Sequence, residues 1–286
     1  MSVSELRKKY HNELCAKIIR VSKNRDGVEY PNFADAGSPG SIAISWGIVE
    51  RLGYAANMDA LTGQAAGASF EQITKTFLEA AFALIQHLRP GKWEYSTHTA
   101  ISNFEQYAHL AALQAIVKNN PELQTALGGD YIITPDIVVG KWSVSDAEIN
   151  ATQDVVDPKQ PIANLTPLRE ANRPTRTMTL HASISCKWTI RSDRSQNART
   201  EALNLIRNRK GALPHISVVT AEPTPWRLAS IALGTGDLDC VYHFALPELI
   251  ESVAATGNPD HAAQLANLVQ GRRLRDISDL PFDLAV

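Results

Sequence analysis

Cysteine is scarce: Cys15, Cys186 and Cys240 are the only three, far apart and with no CxxC pair among them. That spacing argues against both a disulfide framework and a thiolate zinc cage, and points to a reducing compartment. Long apolar runs are missing too. The most apolar-leaning stretch, residues 77–88, carries Glu79, Gln86 and His87 and is too short to span a bilayer, and residues 1–20 are charged rather than shaped as a secretory leader. A cytoplasmic protein is the expectation. There is no excess of basic residues either: 28 Lys and Arg stand against 30 Asp and Glu, a formal net charge of −2. This argues against a protein that coats nucleic acid through a generally basic surface, but leaves room for a local positive cleft. The absence of a Walker A loop, a GxGxxG fingerprint and an HExxH pair removes the common nucleotide-binding and zinc-hydrolase readings.

What remains is a chain of 286 residues, 44% hydrophobic and 20% charged, without a visible linker. A single folded domain over residues 1–286 is expected. Leu6, Tyr10, Leu14 and Ile18 recur at fourfold spacing and predict an amphipathic helix over residues 4–20. Residues 26–40 read as a loop, 41–52 as a helix closed by Gly53, and 63–67 as a small-residue loop. Ser69 with Gln72 fits a capping box that opens a helix running to Pro90, with Glu71 in its first turn. A further helix is predicted over 99–118, and breaks at Pro121 and at Gly128–Gly129. Residues 131–142 (YIITPDIVVGKW) read as a strand interrupted at Pro135, which puts Asp136 at a bend, and 143–174 as a long polar excursion.

Residues 177–190 (TMTLHASISCKWTI) alternate cleanly, sending Cys186 to the apolar face and Ser185 and Lys187 to the polar face. Arg191 to Arg194 leave that strand, and 195–210 form a helix bearing Glu201. Strands at 214–220 and 238–244 and helices at 247–255 and 261–272 follow. Strands and helices alternate through the second half, so the fold class is α/β, with a central mixed sheet flanked by helices.

Asp136, Lys187 and Glu201 carry the candidate chemistry, because phosphodiester hydrolysis needs anionic oxygen ligands for Mg²⁺ and a cation beside the scissile phosphate. Asp136 and Glu201 are the carboxylate ligands, and the Cys186 backbone carbonyl is a third metal-ligand candidate. Lys187 can orient or help deprotonate a water and can stabilise transition-state charge. Taken singly these are weak signals, since Pro-Asp is common at turns and a lone strand Lys or helical Glu ordinarily faces water. The neighbouring Arg191-Ser192-Asp193-Arg194 adds a second theme: Arg reads guanine O6 and N7 bidentately, and a carboxylate accepts from cytosine N4. The same residues also suit a salt-bridged strand-to-helix turn with Asp193 as its cap.

With these residues in view, the chain resembles the type II restriction endonucleases that cut sites with a CCGG core, a group within the wider PD-(D/E)xK nuclease fold. In that group the second acid has moved from the strand to the following helix. Here Ser185 stands where the common pattern has an acid, and the acid reappears as Glu201, after a gap of 13 residues from Lys187. The resemblance implies a restriction-endonuclease-like core and Mg²⁺-dependent cleavage of double-stranded DNA at a G/C-rich, palindromic GCCGGC-like site. It implies a homo-oligomer built as a dimer of dimers, with no membrane partner. It adds Glu71 near the metal site, makes Arg191, Asp193 and Arg194 the readers of the core, and names Arg227 with Asp35 for the outer base pair. Gln64 becomes a minor-groove candidate, and Ser185 is counted with the DNA-facing residues. Two alternatives stay open: another PD-(D/E)xK nuclease, repair-type or structure-specific, and a DNA-binding protein of the same fold that does not cut.

Overall fold

The computed structural model describes residues 1–53, 61–127, 133–170, 177–190, 192–234 and 236–286, with the backbone alone for residues 124, 126–127 and 192–195. Helix α1 (Val3–Lys17) opens with a capping box between Ser2 and Glu5 and buries Leu6, Tyr10 and Leu14 as the spacing predicts. A small antiparallel ribbon follows, β1 (Val21–Lys23) with β2 (Glu29–Pro31). Helix α2 (Pro39–Leu52) is capped by Ser38 and ends at Gly53, whose φ of 75° is the left-handed conformation that terminates helices cheaply only in glycine.

Helix α3 (Gly63–Ile85) begins earlier than the capping-box reading placed it. The Thr62 hydroxyl accepts from the Ala65 amide and so satisfies an orphan N–H of the first turn. The stretch read as a small-residue loop is therefore helical, and Ser69 lies inside the helix. Alanine is the best helix former, and two glycines are tolerated when Ala66 and Phe70 are buried.

Strand β3 (Trp93–Thr97) was not anticipated. The single helix expected over 99–118 is broken into two 3₁₀ turns, Ile101–Asn103 and Glu105–Tyr107, before α4 (His109–Lys118). Tertiary contacts account for the break. Phe104 is extended and bridges to Met178, while the Gln106 carboxamide donates to the Leu180 carbonyl and accepts from the Leu180 amide. Pro121 starts α5 (Pro121–Leu127) instead of ending a helix, with Asn120 accepting from the Glu122 and Leu123 amides.

The central sheet continues with β4 (Ile137–Trp142). The excursion after it contains α6 (Asp146–Ile149), and β5 (Met178–Lys187) and α7 (Ser192–Asn208) follow. The chain then runs through β6 (His215–Thr220), α8 (Pro225–Ala232), β7 (Cys240–His243), α9 (Leu246–Ala255), α10 (Pro259–Gln270), β8 (Leu274–Asp276) and α11 (Leu280–Asp283). The six strands lie in sequence order β3-β4-β5-β6-β7-β8; the first two pairings are antiparallel and the last three parallel. The expected α/β class with a mixed central sheet is borne out.

Strand β5 sits inside this sheet and is covered on both faces. Its polar side is not solvated as alternation alone suggests, because Ser183 and Ser185 are buried. Helix α3 covers the Cys186 side, where Thr74 reaches the thiol, and α7 covers the other, where Glu201 reaches Ser185. The excursion is tied at its base by the buried Arg169. Its guanidinium grips both Asp146 oxygens, at 2.5 and 2.7 Å, and also donates to the Ile162 carbonyl.

Candidate active site and base-reading cleft

The antiparallel register of β4 and β5 brings the candidate acid and lysine together. Ile137 faces Ile184, so Asp136, one residue before β4, stands beside the end of β5. One oxygen, Asp136 Oδ2, accepts from the Cys186 amide at 2.7 Å, from Lys187 Nζ at 3.0 Å and from the Ser185 hydroxyl at 3.3 Å. A residue in an extended strand sends its N–H and C=O to the same side, so the Cys186 carbonyl also leaves toward Asp136. The Cys186 thiol itself is buried, and burial lifts its pKa well above the ordinary thiol value. It is a packing group, and only its backbone can serve a cation.

Glu201, on α7, completes one side. Burial raises its carboxyl above the usual range, with the Asp136 charge adding to that and Lys187 opposing it. Glu71, on α3, closes the other side, and burial and the Asp136 charge raise it as well. Glu71 Oε2 lies 3.1 Å from His98 Nε2, which lowers the carboxyl's pKa but does not offset its burial. For Lys187 burial works against the ammonium, but Asp136 and Glu201 outweigh it and the pKa is raised. The group therefore holds its proton at neutral pH.

This cluster suits a hard divalent cation. The donors are oxygens, and burial beside the Asp136 charge holds the Glu71 and Glu201 carboxyls above their ordinary pKa, a cost that a bound cation would relieve. Among the described residues no three His, Cys, Asp or Glu side chains form a ready ligand shell. Mg²⁺ ordinarily takes one or two carboxylates and completes its shell with water and substrate phosphate.

A cleft of about 890 Å³ is lined by Asp35, Gly63, Trp188, Ile190, Trp226 and Arg227 among others. Arg227, in the first turn of α8, is ion-paired with Asp35 across it. Gln64 is exposed at the start of α3, seven residues before Glu71. Two helical turns separate them, about 10 Å along one face, so α3 reaches from the cleft to the carboxylate cluster. Arg191 lies outside the described residues. Ser192, Asp193 and Arg194 form the first turn of α7 by backbone, not an exit loop from the strand.

Comparison with known proteins then decides the lineage. Residues 10–286 match the NgoMIV restriction enzyme family, and the chain is 48% identical over 285 residues to the type II restriction enzyme NgoMIV of Neisseria gonorrhoeae, covering 98% of this chain and 97% of that one. The chain belongs to the NgoMIV restriction enzyme family. It is thereby a restriction endonuclease, and the resemblance drawn from Lys187, Glu201 and the Arg191–Arg194 segment is borne out at family level. Two solved structures align loosely. One is the complex of the restriction endonuclease PspGI with substrate DNA, at 15% identity over 99% of this chain and 92% of that chain, with a TM-score of 0.30. The other is the type IIF restriction endonuclease Bse634I with cognate DNA, at 12% over 87% and 98%, with a TM-score of 0.36.

Within this family member the fold gathers Asp136, Cys186, Lys187, Ser185, Glu201 and Glu71 at one point, and Asp35 with Arg227 at another. Two residues in these neighbourhoods escaped the sequence reading. His98 adopts a left-handed backbone with φ of 53° and faces Glu71. Glu222 is buried beneath the cleft. For His98 the only signal was the polar Ser-Thr-His-Thr turn, and for Glu222 an acid beside two prolines after a strand. No helix among the described residues is long and apolar enough to cross a membrane.

Proposed function

We propose that the chain hydrolyses double-stranded DNA, with Mg²⁺, at a palindromic GCCGGC-like site and leaves 5′-phosphate ends. The observation that supports this reading most is the convergence of Lys187 Nζ, Ser185 and the Cys186 amide on one oxygen of Asp136, between two glutamates with raised pKa. Asp136, Glu201 and the Cys186 carbonyl would hold the ion, with Glu71 close by. When bound, such an ion supplies positive charge at the scissile phosphate and makes a nearby water easier to deprotonate. Lys187, beside Asp136, orients that water or helps to deprotonate it and stabilises the charge that develops on the phosphate oxygens. Arg191, Asp193 and Arg194 read the CCGG core, Arg227 and Asp35 the outer pair, and Gln64 the minor groove. Ser185 acts from within the carboxylate cluster, where it steadies Asp136.

A palindromic site calls for two-fold related subunits, so that each presents the same readers to its half-site. A dimer of dimers is the proposed assembly. The 143–170 excursion offers it apolar surface in Val155, Ile162, Leu165 and Leu168, all exposed, with Leu165 at 96%. Light scattering on the eluting protein should give four chains for the wild type and fewer for Leu165→Asp, and a wild-type mass of one chain overturns the assembly. For the activity, wild-type protein with plasmid and Mg²⁺ should yield discrete fragments whose sequenced ends fall in one motif. Fragments of random sequence would favour the non-specific nuclease, and binding without cutting the inactive DNA-binding protein.

A further inference from the structure

We propose that Glu222 is a positioning residue that locks the two base-reading segments into one register, so that the inner and outer base pairs are read together. The proposal rests on the base-reading assignment above. Glu222 lies between β6 and α8 and is 1% exposed. Its two carboxylate oxygens serve different segments. Oε2 accepts from the Ile190 amide at 3.0 Å, one residue before Arg191. Oε1 accepts from the Thr224 amide at 3.1 Å, at the cap that starts α8.

Arg227, one turn into α8, also sends Nη1 to within 3.9 Å of Glu222 Oε2, while its other nitrogen pairs with Asp35. A single rigid carboxylate thus spans the entry to the Arg191–Arg194 segment and the first turn of the helix that carries Arg227. The Thr224 hydroxyl does not cap α8, and the Glu222 carboxylate, accepting from the Thr224 amide, ties the start of this helix to the end of β5. Burial raises the Glu222 carboxyl, and the amide bonds and Arg227 offset part of that. A buried acid kept for two backbone donors and a reader's guanidinium suits the placing of those groups better than it suits stability.

Glu222→Gln tests this at nearly constant volume. Glutamine has one accepting oxygen, so it keeps one amide bond and turns its own NH₂ toward the other donor. Cleavage rates would be measured on the GCCGGC duplex, on one changed at the outer pair and on one changed at an inner pair, with Arg227→Ala and Arg194→Ala in parallel. Each reader variant should lose discrimination mainly at its own position, by about tenfold or more. Glu222→Gln should cut the cognate duplex at a rate within about tenfold of wild type, yet lose discrimination at both positions. In the Glu222→Gln, Arg227→Ala double variant the outer-pair losses should not multiply. If Glu222→Gln discriminates as wild type does, or slows equally on all three duplexes, the proposal falls and the readers stand. If the two arginine variants discriminate normally, the base-reading assignment falls and takes the proposal with it. Should the glutamine variant fail to fold, Glu222→Asp keeps the charge but cannot span both amides, and the same outcomes decide.

Discussion

The carboxylate cluster and the reading cleft are built in opposite ways. The cluster hangs on the middle of the sheet: Asp136 is placed by the register of β4 on β5, and Lys187, Cys186 and Ser185 are consecutive on a strand buried from both sides. The cleft is assembled from helix beginnings and loops, with Asp35 ahead of α2, Gly63 at the start of α3 and Arg227 in the first turn of α8. On the proposed assignment, the chemistry is fixed by backbone pairing, while recognition sits on side chains that can be exchanged without unpairing a strand.

That contrast is broken most strongly at the sheet. Asp136→Ala should lower cleavage of cognate DNA by about a thousandfold or more, since it removes the proposed metal ligand and the acceptor of three hydrogen bonds together. Its binding to the same duplex in Ca²⁺, measured by gel shift, should persist. Arg194→Ala should do the reverse and weaken cognate binding by roughly 1–3 kcal/mol while leaving random DNA nearly unchanged. Equal loss on both DNAs would make Arg194 a phosphate contact.

The smallest effect sharpens the comparison through stability. Burial raises the folded-state pKa of Glu201, so the native protein binds more protons than the unfolded chain between the ordinary and the raised value. The ionised group therefore costs stability above the raised pKa, and the cost disappears as pH falls below the ordinary glutamate value. Metal-free Glu201→Gln should melt higher than wild type near pH 8, with the gain shrinking in acid. Cleavage by the wild type should fall on the acid side starting above the ordinary glutamate range, because protons would compete with the proposed cation for Glu201. Calorimetry across pH would check the first and a pH–rate profile the second. A melting point lower than wild type would show that Glu201 is a structural partner.

Where one periodicity dominates, the fold was legible from the sequence: the stripe of α1, the strand at β5 and the glycine stop of α2 all hold, although both faces of β5 are covered. It was misread where tertiary bonds override local pattern. Gln106 pins its segment to Leu180, and a 99–118 helix gives way to 3₁₀ turns. Thr62 caps α3 well before the capping box at Ser69, because several residues in this stretch can cap and only one stands where the chain turns. The cluster residues were nameable because Lys187 and its neighbours fall on one strand. Their meeting with Asp136 was not readable, since a separation of 51 residues carries no register. Glu222 was invisible for the same reason, as its role lies in two backbone amides that are distant or adjacent in chain but unmarked by residue type.

The central claim is that cutting resides in the Asp136–Lys187 pair and reading in the cleft. One paired measurement tests it most directly: Lys187→Ala and Arg194→Ala side by side on the GCCGGC duplex, with binding scored in Ca²⁺ and single-turnover cleavage at saturating enzyme scored in Mg²⁺. The account predicts that Lys187→Ala binds as wild type does and cuts about 10²–10⁴-fold more slowly, whereas Arg194→Ala binds worse. A Lys187→Ala protein that cuts at the wild-type rate would contradict it.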